Sequence, residues 1–167
     1  MKLYGNLINR IEESKKHYPE ITEGMDITMY HYSDRTCYYV TKVESQKKIQ
    51  VKEYHVCAKK GQGGLGAQEW EYFKSRAELN KYLGLTDEFI KEDEPETWVY
   101  RYNHWNKAYT YTKDDLDEPS VYGIPMREIL DEDDVKKLES GKSVTKYYRL
   151  DGSIRFGVRS YYFDWEF

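Results

Sequence analysis

The sequence predicts an α+β fold, a strongly curved antiparallel sheet or small open barrel covered by helices. Three observations predict it. Residues 26–32, 36–44 and 48–57 are three consecutive strand-like runs joined by short turns, and a meander of that kind pairs antiparallel. Residues 2–17 and 126–139 carry apolar side chains at helical spacing. Asp151-Gly152 sits between two strand-like runs and is a strong short hairpin signal.

Each element follows from its residues. Leu3, Leu7, Ile8 and Ile11 give 2–17 one apolar face, and Pro19 and Gly24 end that helix. Tyr38, Tyr39, Val40, Thr41 and Val43 are β-branched or aromatic, as strands prefer. Ser33-Asp34-Arg35 and Ser45-Gln46-Lys47 are the meander's turns. Glycine-rich 59–67 reads as a flexible loop, and Trp70 and Tyr72 alternate with Glu69 and Glu71 in a strand over 68–74. Ser75, with Glu78 three residues on, is a capping box for a helix over 76–83 that Gly84 stops. Residues 85–96 read as a helical turn and acidic loop. A hairpin over 97–102 and 106–112 turns at Asn103-His104-Trp105, and 114–124 is loop. Pro125 opens the 126–139 helix at its first position, and Gly141 ends it. The last segment, 143–163, is a hairpin with Asp151-Gly152 at its tip. The expectation is one domain, SH3-like or PUA-like in character. It has a helix and meander over 1–58, an acidic insertion over 59–142 and a C-terminal hairpin and tail over 143–167.

Composition narrows the function classes. The chain has 167 residues, 27 of them aromatic, and 18 of those are Tyr. That many aromatics argue against global disorder. Two Cys cannot staple a chain of this size. No apolar run approaches the ~18 residues of a membrane span, and no signal-peptide core follows Met1. A cytoplasmic protein with no membrane partner is expected. The net charge of −4 is an average over unlike parts: +3 over 1–60, −9 over 61–140 and +2 over 141–167.

Four stretches carry a resemblance. They are Asn6-Leu-Ile-Asn-Arg-Ile-Glu-Glu-Ser14, Glu23-Gly-Met25 with Tyr30-His-Tyr-Ser-Asp-Arg35, Thr41-Lys-Val43, and Phe156-Gly-Val-Arg-Ser-Tyr-Tyr-Phe-Asp164. Together they resemble a group of uncharacterised proteins encoded by bacteriophages and prophages. The resemblance covers both ends and skips 59–142. The chain departs from the pattern at Asp26, at Thr36-Cys37 and at the inserted Phe163. The resemblance implies a phage-related origin in a bacterial host cell and supplies no catalytic residue.

Candidate chemistry is sparse. His31, Cys37, His55 and Cys57 are zinc-ligand types, but only His55 and Cys57 are close, and no C-x₂-C pair exists. The competing reading makes both Cys small buried hydrophobes. A Cys–His nucleophile pair would need an electropositive setting that the sequence does not supply. Gly61-Gln-Gly-Gly-Leu-Gly66 lacks the strand-before, helix-after context of a phosphate loop. No cofactor and no catalytic residue are therefore expected, and a small hydrolase or metal enzyme is the weakest reading.

Binding residues are better represented. Asp34 and Arg35 in the Ser33-Asp34-Arg35 turn combine a turn-forming carboxylate with a guanidinium that can reach a phosphate. With Asp151-Gly152 as the turn, Tyr148 opposes Arg155, and Lys146 shares their face. Such a Lys, Tyr and Arg sheet face can track a phosphate backbone and stack bases. Arg35, Lys47, Lys48 and Lys52 would extend it if the meander lies beside this hairpin, and Tyr147, Ile154, Phe156 and Val158 would face the core. The leading expectation is thus a non-enzymatic binding module for nucleic acid or a protein partner. The alternative is an acidic inhibitor of a host DNA-handling or defence protein, acting through Asp131, Asp133 and Asp134.

Overall fold

The computed structural model describes residues 20–59, 69–85 and 91–161. The expected N-terminal helix, the Gly61–Gly66 loop and the last six residues lie outside that set. The chain divides into two compact units, Thr97–Leu150 and the remainder. Every strand pairing within them is antiparallel, so the α+β class with open antiparallel sheets is the fold that forms. Among the described residues no helix is long and apolar enough to cross a membrane.

The first unit is built on strands β1 (Asp26–Tyr30), β2 (Arg35–Ser45) and β3 (Lys48–Glu53), the expected meander. Two register shifts in the β2–β3 ladder bend the long second strand. Ile27, Met29, Val40, Ile49 and Val51 form its buried apolar set. The expected single strand over 48–57 is instead two, parted at Tyr54. Its backbone N–H donates to the Cys37 carbonyl at 2.9 Å, at the end of the β2–β3 ladder. Beyond it, β4 (His55–Ala58) pairs with β5 (Trp70–Phe73) in a separate ribbon. Helix α1 (Arg76–Leu83) forms between the expected ends, but the capping box is half made, since the Glu78 carboxylate accepts the Lys74 N–H at 3.2 Å instead of the Ser75 N–H. The Ser75 hydroxyl accepts from the Glu78 N–H at 3.1 Å, and Gly84 closes the helix at φ +72°.

The second unit is a three-stranded meander of β6 (Glu96–Arg101), β7 (His104–Tyr111) and β8 (Val144–Arg149), with Glu96 itself in the first unit. The β6–β7 turn is two residues, Tyr102 and Asn103, rather than the expected three at 103–105. The expected loop over 114–124 opens with a 3₁₀ turn, Lys113–Asp117, and the expected 126–139 helix is two pieces. Helix α2 (Met126–Ile129) ends where Leu130 turns extended, and α3 (Glu132–Glu139) restarts after an extended Asp131. Pro125 precedes the first piece instead of occupying its first turn. Leu116, Leu138 and Val144 pack with Tyr111, Leu130 and Val135 in this unit's small core.

The C-terminal hairpin does not form. β8 pairs along its whole length with β7, and β9 (Ser153–Phe156) pairs with β1. Local turn chemistry lost to two longer ladders. Asp151-Gly152 is instead the junction between units. Gly152 has no left-handed φ. Its lack of a side chain serves close packing, since a Cβ there would sit 2.6 Å from Met29 Cγ and 2.8 Å from the Tyr30 carbonyl oxygen.

Candidate functional site

The lost hairpin redistributes the expected binding residues. Tyr148 opposes Lys107, not Arg155, and Arg155 opposes Thr28. Lys146 and Tyr148 belong to the second unit, and Asp34, Arg35 and Arg155 to the first. Tyr147, expected in the core, is 42% exposed.

In the first unit, β1 brings the two arginines together. Register places Thr28, Tyr30, Arg35, Cys37 and Arg155 on one sheet face. The Arg35 and Arg155 guanidinium carbons lie 5.2 and 5.8 Å from the centre of the Tyr30 ring. Arg35 is the first residue of β2, directly opposite Tyr30, so the turn is His31–Asp34 and not Ser33–Arg35. The Asp34 carbonyl accepts the His31 N–H at 2.8 Å to close it. Arg35 Nη1 also donates to Ser160 Oγ at 3.1 Å. Lys48 is held by Glu44 at 2.9 Å.

The same face is crossed by the segment after β9. The fully buried Thr28 hydroxyl donates to the Val158 carbonyl at 2.6 Å and accepts the Ser160 N–H at 3.1 Å. Arg159 lies 4.6 Å from the Tyr72 ring and 5.6 Å from the Tyr54 ring. Tyr54 OH donates to Asp26 Oδ1. Burial, then that bond and the Asp26 charge, push the Tyr54 hydroxyl up to about 12. Cys37 is buried here, and desolvation pushes its thiol up, so it has no thiolate character. The four zinc-type residues do not gather. His55 Nε2 is 3.3 Å from an Asp93 carboxylate oxygen, and Cys57 is half-buried. Among the described residues no three His, Cys, Asp or Glu side chains converge as metal ligands.

The second unit carries the denser binding surface. Strand alternation puts Tyr100, Trp105, Lys107, Tyr109, Tyr111, Lys146 and Tyr148 on one face, together with Trp98 and Val144, which are buried. Tyr100 and Trp105 are opposite each other, edge to face at 5.5 Å. Tyr109 stacks on Tyr111 at 6.3 Å, meets the Tyr148 ring edgewise at 5.5 Å, and has Lys107 Nζ 4.8 Å above it. Tyr100, Tyr109 and Tyr148 are all exposed. Burial pushes the Tyr111 hydroxyl strongly up, and its hydrogen bond with the Tyr148 hydroxyl adds to this. The Tyr109, Tyr111 and Tyr148 rings are held by their contacts with one another.

Charge in this unit is sorted by element. Its strands carry Arg101, Lys107, Lys146 and Arg149, and the one acid in β6, β7 and β8 is Glu96 at the start of β6. All ten of its carboxylates lie between Asp114 and Glu139, in the helical layer. Asp131, Asp133 and Asp134 do not form one exposed acidic surface. Asp134 is buried and ion-paired with Lys146, while Asp131 and Asp133 face solvent. The Lys146 ammonium is held above its usual range, first by its bond to Asp134 and then by the Asp134 and Asp131 charges.

Lys146 and Tyr148 were legible from sequence as a shared face. Their neighbours Tyr100, Trp105, Lys107 and Tyr109 were missed. The signal for three of them was present as the alternation Trp105-x-Lys107-x-Tyr109-x-Tyr111. Comparison with protein-family models, with curated proteins and with solved structures found no match.

Proposed function

We propose that the protein is a phage or mobile-element binding module, without catalysis of its own, that acts in the cytoplasm of a bacterial host. Its ligand is single-stranded nucleic acid, received on the Tyr100, Trp105, Lys107, Tyr109 and Tyr148 face. The observation that carries the reading is the Tyr109 site, where an exposed ring has Tyr148 at its edge and Lys107 over it. Exposed aromatic faces accept bases of any sequence by stacking, and neighbouring cations accompany the phosphates. The acids of the helical layer meet this face at its Tyr111, Val144 and Lys146 end, which leaves Lys107 as the cation beside the Tyr109 ring. The phage assignment rests on the sequence resemblance of the two ends. The acidic-inhibitor alternative is weakened because Asp134, one of its three carboxylates, is engaged by Lys146.

The test is fluorescence anisotropy of a labelled thymidine oligomer at low salt. Tyr109→Ala and Tyr148→Ala should each weaken binding by about fivefold to a hundredfold, since a base stacked on an aromatic ring is worth roughly 1–3 kcal/mol. A protein partner in place of nucleic acid would leave the oligomer unbound and sink the reading.

A further inference from the structure

We propose that Tyr102 is a further contact residue of this site, a base-stacking ring presented at the β6–β7 hairpin end; the inference rests on the nucleic-acid reading above. Tyr102 and Asn103 are the two turn residues, at φ +54° and +61°. A two-residue turn with both φ values positive favours Asn, Asp and Gly. Asn103 fits that rule. Tyr102 breaks it, because a bulky L-residue is disfavoured in the left-handed region. Burial does not compensate, since Tyr102 is 79% exposed.

The turn is imposed from elsewhere. The buried Asn106 amide donates to the carbonyls of Val99, Arg101 and His104, at 3.4, 3.2 and 3.2 Å. That clamp ties both sides of the hairpin end without using the Tyr102 side chain. A residue that costs its turn and packs into no core is explained by what it presents. Its ring lies 5.2 Å from the Arg101 guanidinium, which lies 4.0 Å from the Tyr147 ring. Tyr102, Arg101 and Tyr147 thus alternate ring, cation and ring. Bases and phosphates of a single strand fit that alternation. Register puts Arg101 and Tyr147 on the sheet face opposite Tyr109 and Tyr148, so a strand that leaves those rings crosses the hairpin end, past Tyr102, to reach them.

The test uses the full chain, a labelled thymidine oligomer of about twelve nucleotides, and the variants Tyr102→Asn and Tyr102→Phe, with Tyr148→Ala as reference. Tyr102→Asn should raise the melting midpoint or leave it unchanged, because Asn suits the turn. It should weaken binding about fivefold or more, and Tyr102→Phe should bind like the wild type. If Tyr102→Asn binds like the wild type while Tyr148→Ala binds weakly, the inference falls and the nucleic-acid reading stands. A lowered melting midpoint in Tyr102→Asn would show that the ring serves the turn and would also overturn the inference. If the wild-type chain does not bind the oligomer, both fall together.

Discussion

The Lys146 ammonium is ion-paired with the buried carboxylate of Asp134, which joins the end of the aromatic sheet face to helix α3. One cation of the proposed ligand face is therefore neutralised within the protein. Asp134→Asn should lower the denaturant midpoint, since Asp134 is buried and loses its charged partner. It should also free Lys146 for phosphate, strengthen oligonucleotide binding and steepen its salt dependence. Chemical denaturation and a salt series of anisotropy titrations check both effects. Unchanged binding would remove Lys146 from the ligand face.

Tyr54 predicts an alkaline transition. Its hydroxyl is neutral in the fold up to about 12, against an ordinary value of 10.0. The folded state therefore holds this proton more tightly than the unfolded chain does. The resulting stability is fully present below pH 10 and is lost as pH rises from 10 through about 12. Tyr54→Phe should flatten that part of the stability curve, measured by denaturation at stepped pH. An unaltered slope would mean that the buried Tyr54 hydroxyl does not govern it.

Thr28 predicts a hydroxyl-dependent anchor for the segment after β9. Thr28→Val keeps the shape but strands the Val158 carbonyl and the Ser160 N–H, at a cost of about 1–3 kcal/mol. Thr28→Ser keeps the hydroxyl and should lose less. Hydrogen exchange at Ser160 should speed up in the Val variant only. Equal exchange in both variants would show that the methyl group, not the hydroxyl, holds the segment.

Arg155 predicts a negative result. It lies over Tyr30 in the first unit, on a different strand from Lys146 and Tyr148. Arg155→Glu should leave the effect of Tyr148→Ala on oligonucleotide affinity unchanged, so the two substitutions add in free energy. Non-additivity in anisotropy titrations of the double variant would place them on one ligand path.

Local chemistry was readable wherever a few neighbouring residues decide the outcome. The Ser75, Glu78 and Gly84 caps fixed α1 to the residue, because capping bonds join atoms three or four positions apart. The meander of β1 to β3 was readable because short turns leave consecutive strands little choice of partner. The alternation that puts Lys146 with Tyr148 follows from the strand period alone. The Lys146 to Asp134 bond was not readable, because its partners come from different elements.

The sequence by itself therefore determined the α+β class, the meander, the capped helix and a strand face combining Lys and Tyr. Only the tertiary structure decided which strands are neighbours. Asp151-Gly152 favours a local turn, but the β7–β8 and β1–β9 ladders each satisfy a run of backbone groups that one hairpin would have had to replace. That choice parted Tyr148 from Arg155, set Tyr148 beside Tyr109 and Lys107, and gave Arg155 to Tyr30.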